Sequence, residues 1–262
     1  DGVNDYLYVA DHADFDFGTG NFTVTAWAYA EHTGGKLIVS KQNPNNDANS
    51  GYLMRTGIGS SFTARISDND SAGGGEGDGY VTGSDGDNTT EGWHHYAMVV
   101  DKSGALGTAN RMYRFVDGEL HGTATNISAI ADVDNNEALQ IGRRFDSTNG
   151  SNTGNYWEGG IADVRVYKAE ALSQANIQVL ASKINVNTSL GAGTTNLKAY
   201  WPIAGTSVDI TDRSDSANSH NLTASGSPAT AYPFSVNVQD SYDGSDAATR
   251  TQTDGSVTIT QG

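Results

Sequence analysis

The sequence predicts an all-β protein: an antiparallel sandwich of two sheets, with one short helix and an extended C-terminal arm. The 262 residues include 32 glycines but only 4 prolines, a composition typical of short strands joined by polar turns. About ten segments show the alternating or apolar patterns of strands, and one segment has helical spacing. Such an excess of strands over helices favours two packed sheets.

The strand segments lie between glycine-rich and asparagine-rich breaks. The clearest alternation, in 21–30, predicts two opposite faces, Phe22, Val24, Ala26 and Ala28 on one and Thr23, Thr25, Trp27 and Tyr29 on the other. Asp117-Gly118 predicts a type I′ hairpin turn, because glycine tolerates positive φ. Residues 68–90 are predicted to be mostly loop. The predicted strands are 3–10, 21–30, 36–41, 51–56, 61–67, 93–101, 111–116, 119–125, 137–142 and 161–167.

The predicted helix lies in ALSQANIQVLASKI, residues 171–184. Ser173 has the side chain of an N-cap and can accept a hydrogen bond from the first turn. Apolar side chains then recur about one turn apart, which predicts a buried stripe made of Ile177, Leu180, Ala181 and Ile184.

Charge and cysteine content narrow the range of functions. The chain carries 31 acidic and 15 basic residues, a net charge of −16, and has no basic cluster. We therefore predict no nucleic-acid partner, because nucleic-acid binders present a basic face. No apolar run is long enough to span a bilayer, so no membrane insertion is predicted. The absence of cysteine excludes disulfides, thiolate zinc sites and cysteine nucleophiles.

The segment GWHHYAMVVD, residues 92–101, contains two adjacent histidines that suggest a metal site. Neighbouring residues of a strand point to opposite faces, so His94 and His95 are not expected to bind one ion together. Trp93, His95, Ala97 and Val99 form one predicted face, and a zinc site needs three or four converging ligands. We predict a structural role for both histidines and for Trp93 as a core residue.

An ordered set of segments resembles the laminin-G-like, concanavalin A-like jelly-roll domains over about 1–184. The resemblance implies a jelly-roll sandwich of two curved antiparallel sheets, each with six or seven strands. The segments that carry it are 1–9, 22–29, 37–41, 51–55, 92–101, 114–120, 139–145 and 156–177.

Residues 197–228 resemble the strand and loop that usually begin such a domain, although here they follow it. They could fold back to complete the same sandwich, begin a second repeat, or pair with a neighbouring molecule. We favour the first, because only about 65 residues remain, too few for another such domain. The predicted units are thus a sandwich at 1–184, a linker plus completing strand at 185–234, and an extended tail at 235–262.

A catalytic role is not predicted. Glycoside hydrolases need two carboxylates flanking the sugar bond, and the resemblance implies that they would lie on one strand as Glu-x-Asp-x-x-Glu. No such run occurs: Glu76 and Asp78 lie in a glycine-rich loop, and 161–167 offers only Asp163. We therefore predict a non-enzymatic protein and keep glycoside hydrolysis as a distant alternative.

The resemblance implies one structural Ca²⁺ ion, held by oxygens near the first strand and an acid in the closing strand. Asp1 and Asp163 are the candidate ligands. Related domains often have two acids in the closing strand, whereas Ala162 stands in place of one here. The acidic loop at 132–137 lacks the glycine and the spaced glutamate of an EF-hand.

Glycan binding is a frequent use of domains that this chain resembles. The loop at 142–157 has suitable side chains, and its candidate glycan-binding residues are Arg143, Arg144, Asp146, Asn152, Asn155 and Tyr156. Trp157 stands where the resemblance places a core aromatic residue.

Two functions follow from these observations. The first is a structural or decoration protein, extracellular or part of a virion, whose partners are neighbouring subunits and whose C-terminal arm could form a homo-oligomer. The second is a carbohydrate-binding module for adhesion or host recognition, with surface glycans as partners. Both place the protein outside the cell, on the cell surface or on a virion.

Overall fold

The computed structural model describes residues 2–42, 50–68, 80–83, 89–143, 156–182, 196–203, 211–214, 219–226, 228, 250–251 and 258–259. Residues Gln174–Ser182 form the helix α1, and Ala13–Phe15 form one turn of 3-10 helix. The strands described are, in chain order, β1 (Tyr6–Val9), β2 (Phe22–Ala30), β3 (Lys36–Gln42), β4 (Gly51–Gly57), β5 (Ser60–Ser67), β6 (Tyr80–Gly83), β7 (Trp93–Asp101), β8 (Arg111–Val116), β9 (Glu119–Leu120), β10 (Thr125–Asn126), β11 (Leu139–Ile141), β12 (Gly159–Lys168), β13 (Leu197–Trp201), β14 (Thr223–Ser225), β15 (Arg250–Thr251) and β16 (Thr258–Ile259).

These strands form two antiparallel sheets that face each other. The front sheet has the order β14-β1-β11-β3-β4-β5-β6, and the back sheet has the order β10-β8-β7-β2-β12-β13 with β9 paired to β8. Strands β15 and β16 pair with each other in a separate two-stranded sheet. The predicted all-β jelly-roll sandwich is confirmed.

The core between the sheets follows the alternation seen in the sequence. On β2, Phe22, Val24, Ala26 and Ala28 are all buried in the central cluster, as predicted. Aromatic rings fill the space near the start of this strand, where Phe22 stacks on Phe17 with 4.1 Å between ring centroids. Apolar burial of this kind is the main favourable term in folding.

Strand β7 has the predicted alternation but a different core face. Tyr96, Met98 and Val100 are buried in the central cluster. Trp93 is therefore on the outer face of the back sheet, where it is half-buried and stacks on Tyr29 at 5.9 Å between ring centroids. The prediction that Trp93 fills the core was wrong, because alternation separates two faces without saying which one meets the other sheet.

The helix α1 covers part of the outer face of the back sheet. Ser173 caps it as predicted: its Oγ accepts a hydrogen bond from the Asn176 backbone N–H at 3.3 Å. Ile177 and Leu180 are buried in a second cluster, while predicted Ile184 lies outside the described residues. No helix in the described ranges is long and apolar enough to cross a membrane.

Residues after 196 contribute one strand to each sheet. In the back sheet, β13 pairs with β12 and places Trp201 opposite Val164. In the front sheet, β14 pairs with β1 and places Thr223 opposite Tyr8. The indole N–H of fully buried Trp201 donates to the carbonyl oxygen of His220 at 2.6 Å, which ties the two returning strands together.

Local turns explain the hairpin between β8 and β9. Asp117 and Gly118 both have positive φ, 52° and 84°, as the predicted type I′ turn requires.

The predicted strand at 119–125 is divided into β9 and β10, and the predicted loop at 68–90 contains β6. In the predicted tail at 235–262, the described residues are those of β15 and β16.

Candidate functional site

One row of side chains crosses the outer face of the front sheet. The strand register places Tyr8 opposite Gln140, Gln140 opposite Ser40, Ser40 opposite Leu53, and Leu53 opposite Arg65. Paired residues share a face of the sheet. Since the neighbours of Tyr8 along β1 are core residues, this row points away from the core.

A cluster of five side chains occupies the β1 end of this row; we call it the tyrosine–arginine cluster. The Arg143 guanidinium carbon lies 3.6 Å from the Tyr6 ring centroid and 5.8 Å from that of Tyr156. Its Nε donates to Gln140 Oε1 at 2.7 Å, and its NH1 group donates to the Tyr156 hydroxyl at 3.3 Å. The Tyr6 and Tyr8 centroids are 5.9 Å apart, which completes the cluster.

Burial divides the cluster into supporting and accessible parts. Arg143 and Tyr156 are 5% and 7% exposed, and Gln140 is 3% exposed. Tyr6 and Tyr8 are only half-buried. The buried arginine therefore supports Tyr6, while both tyrosines keep part of their surface exposed to solvent. Aromatic surface beside a few oriented polar groups is typical of small-ligand sites.

The predicted glycan-binding loop is only partly described. Arg143 and Tyr156 are brought together, but they lie in the supporting layer and not at the surface. Arg144, Asp146, Asn152 and Asn155 lie outside the described residues. Sequence reasoning missed Tyr6 and Tyr8, although a signal was present: in YLYV the aliphatic residues alternate with tyrosines, which predicts an aromatic pair on the face opposite the core.

Of the two predicted calcium ligands, Asp163 is described and Asp1 is not. Asp163 lies at a β-bulge in β12 with φ of 50°, and its Oδ1 accepts from Arg165 Nε at 2.6 Å. Arg165 also stacks over the Tyr200 ring at 3.9 Å. Burial lowers the pKa of Arg165, but the Asp163 charge and hydrogen bond, together with Tyr167 and Tyr200, outweigh burial and raise it. The Ca²⁺ ion stays a prediction.

The adjacent histidines of β7 occupy different environments. His94 Nδ1 is 2.7 Å from Asp117 Oδ2, and this hydrogen bond raises the pKa of His94. His95 is buried on the opposite face, where its ring meets Trp27 edge-on at 5.7 Å. Burial lowers the pKa of His95 to about 3. The two rings therefore do not converge on a common point.

Several solved structures share this fold. A candidate carbohydrate binding protein from Bacteroides ovatus aligns over 89% of this chain and 62% of its own, with a TM-score of 0.55 and 14% identity. The heptameric SAP-like pentraxin of Limulus polyphemus aligns over 84% of this chain and 88% of its own, with a TM-score of 0.50 and 14% identity. The CBM40 domain of the Ruminococcus gnavus IT-sialidase aligns over 63% of this chain and 84% of its own, with a TM-score of 0.49 and 12% identity.

The first two likenesses show a shared fold, and this chain spans 62% of the Bacteroides ovatus protein. The comparison with curated proteins found no match. The family model Laminin_G_3, described as the Concanavalin A-like lectin/glucanases superfamily, matches residues 1–178. That match covers more than half of the sequence and includes strands β1 to β12 of the two-sheet sandwich, so the chain belongs to the Laminin_G_3 family of concanavalin A-like domains.

Proposed function

We propose that this protein is a carbohydrate-binding domain and that Tyr6 and Tyr8 form its sugar-contacting surface. The observation that carries the proposal is the stacking of buried Arg143 on the Tyr6 ring at 3.6 Å, which fixes that ring in the outer face of the front sheet. A rigid aromatic side chain loses little conformational entropy on binding, and this favours affinity.

The chemistry of the cluster suits a neutral sugar. Pyranose rings have apolar C–H faces and hydroxyl edges, so they match a surface that combines aromatic rings with hydrogen-bonding groups. Tyr6 and Tyr8 supply both, since each has an apolar ring and a polar hydroxyl tip. Their rings are close enough, at 5.9 Å between centroids, to contact one sugar together.

Binding fits this cluster better than hydrolysis does. The cluster consists of tyrosine, arginine and glutamine side chains, whereas glycoside hydrolysis uses a pair of carboxylic acids. The family description includes both lectins and glucanases. The similar Bacteroides ovatus structure, described as a candidate carbohydrate binding protein, supports the binding function. We therefore infer surface glycans as partners and a location outside the cell or at its surface.

The structural or decoration role has less support. One reason for it was that residues 197–228 could pair with a neighbouring molecule. Within this chain, however, β13 pairs with β12 and β14 pairs with β1. The remaining support comes from the lack of a catalytic carboxylate run in the sequence, which a binding domain shares, and from the tail at 235–262, most of which lies outside the described residues.

A glycan array tests the proposal directly. The full chain, with and without added Ca²⁺, should bind a related set of glycans reproducibly. Tyr8→Ala should weaken that binding at least tenfold, which corresponds to about 1.4 kcal/mol. Tyr29→Ala is the matched control, because Tyr29 is a half-buried, stacked tyrosine on the outer face of the other sheet.

Two results would contradict the proposal. A folded protein that binds no glycan on a broad array would remove it. Equal losses of affinity in Tyr8→Ala and Tyr29→Ala would show that the front-sheet tyrosines are not the contact surface.

A further inference from the structure

Two histidines and an aspartate lie close together beside the front sheet, in the segment that follows β1 and the segment that precedes β14. His220 Nε2 lies 2.9 Å from Asp14 Oδ2, and His12 Nδ1 lies 3.4 Å from the same oxygen. One potential ligand atom from each of the three residues lies within 4.8 Å of the other two. We call these residues the His–Asp–His cluster; it is separate from Asp1 and Asp163.

We propose that the His–Asp–His cluster binds a divalent transition-metal ion, with Zn²⁺ as the representative ion. Zn²⁺ binds imidazole nitrogen and carboxylate oxygen at about 2.0–2.2 Å. At a tetrahedral angle, two such ligand atoms are roughly 3.3 Å apart, a separation that follows from those bond lengths. The observed separations of 2.9 and 3.4 Å are within a few tenths of an ångström of this value. Imidazole ligands select zinc-like metals over calcium or magnesium.

The hydrogen bonding of His12 leaves its Nδ1 unprotonated, which is the form in which imidazole binds a metal ion. Its Nδ1 accepts the backbone N–H of Asp14 at 3.0 Å, so this nitrogen carries a lone pair and no proton. The 3.4 Å approach of Nδ1 to Asp14 Oδ2 therefore brings two acceptors together. A metal ion bound by Nδ1 would replace the Asp14 N–H as the partner of this lone pair, and it would also be attracted by Asp14 Oδ2. The His12 side chain is 39% exposed, so its ring can turn toward an entering ion.

His220 is held in place by surrounding groups. The His220 backbone N–H donates to Asp212 Oδ2 at 3.0 Å, and its carbonyl oxygen accepts from Trp201 at 2.6 Å. Its ring packs against Phe15 with 4.6 Å between centroids. His220 is 5% exposed, which restricts its ring to this orientation. Such support of the ligands raises metal affinity, because less ordering is needed on binding.

A metal ion bound at this cluster would link the segment before β14, which contains His220, to the segment after β1, which contains His12 and Asp14. Asp14 and His220 are 206 positions apart in sequence. A ligand that binds the folded state and not the unfolded state stabilises the fold by mass action. Three protein ligands leave a fourth position for water. The His–Asp–His cluster shares no residue with the tyrosine–arginine cluster, so the metal proposal and the sugar proposal can fail independently.

The test is a Zn²⁺ titration of the full chain after treatment with a chelator and buffer exchange. We expect saturable binding of one equivalent by calorimetry, and a rise of several degrees in melting temperature with Zn²⁺ in excess. Ca²⁺ should not compete. His12→Asn should weaken Zn²⁺ binding at least tenfold; asparagine is also a good N-cap, so the capping bond to Asp14 can persist. Asp14→Asn should have the same effect.

The matched control is His94→Gln, which removes a histidine that also contacts an aspartate, Asp117, at 2.7 Å. Zn²⁺ affinity should be unchanged in this variant. The inference is overturned if the native chain shows no saturable Zn²⁺ binding, if His12→Asn binds as tightly as the native chain, or if His94→Gln loses as much affinity as His12→Asn.

Discussion

The guanidinium of Arg143 stacks on the ring of Tyr6 at 3.6 Å, although the two residues are far apart in sequence. Arg143 follows β11, whereas Tyr6 begins β1, and the antiparallel pairing of these strands brings them together. A buried cation over an aromatic face is worth about 0.5–2 kcal/mol. This contact orders the tyrosine that we propose to contact sugar.

Replacing Arg143 with lysine should lower glycan affinity about threefold to tenfold. Lysine keeps the charge but lacks the planar group that stacks on Tyr6 and donates to Gln140. Titration calorimetry with a glycan identified on the array measures the change. Arg55→Lys is the control, because Arg55 is an exposed arginine in the same sheet. Equal affinities in the two variants would show that Arg143 does not organise the sugar surface.

Ending the chain after residue 196 should abolish cooperative unfolding, whereas ending it after residue 234 should not. The shorter chain lacks β13 and β14, so β12 and β1 each lose a paired neighbour and the core loses fully buried Trp201. Removal of a buried tryptophan side chain alone typically costs about 3–5 kcal/mol. Thermal unfolding followed by circular dichroism compares the two chains. A stable product ending at residue 196 would show that these strands are dispensable.

The chain that ends after residue 234 also tests the predicted homo-oligomer. If the arm at 235–262 joins subunits, the chain that ends after residue 234 should be a folded monomer while the full chain forms oligomers. Light scattering after gel filtration gives both masses. Identical masses for the two chains would count against assembly through the arm.

Buried His95 should make the fold less stable as the pH falls below about 6.5. Its pKa is lowered to about 3 by burial, so in this range the unfolded chain binds a proton that the folded chain does not. Stability therefore rises with pH, and this histidine contributes a slope of about 1.4 kcal/mol per pH unit between about 6.5 and 3. Urea unfolding from pH 7.5 to 4.5 should show the decrease, and His95→Gln should flatten it.

His94 should have the opposite pH dependence. The hydrogen bond to Asp117 raises the pKa of His94 in the folded state. The contribution of His94 to the free energy of unfolding is therefore fully present below the unfolded pKa of about 6.5, and it is lost as the pH rises through the folded pKa. The same urea series on His94→Gln separates the two histidines. Parallel profiles for the two variants would contradict the assigned environments.

The predicted Ca²⁺ ion can be tested through Asp163. If Asp1 and Asp163 share an ion, chelation should lower the melting temperature by several degrees, and CaCl₂ should restore it. Asp163→Asn should abolish the response to CaCl₂. An unchanged melting temperature after chelation and CaCl₂ addition would indicate that Arg165, 2.6 Å from Asp163, is the cation that neutralises it.

The sequence by itself determined the features that depend on near neighbours. Alternation in 21–30 separated the set that faces the central core, which contains Phe22, from the set on the outer face, which contains Thr23. Ser173 indicated the start of α1, and Asp117-Gly118 indicated the hairpin turn. These predictions succeed because side-chain period, capping and turn geometry act within a few residues.

Only the tertiary structure decided which faces meet and which distant residues touch. It placed Trp93 outside the core, Tyr6 beside Arg143, and His220 beside Asp14. Local patterns do not encode these contacts, because they depend on strand order and register across the whole sandwich. The returning strands β13 and β14 set that order at the edges of both sheets, and they bring His220 to the loop after β1.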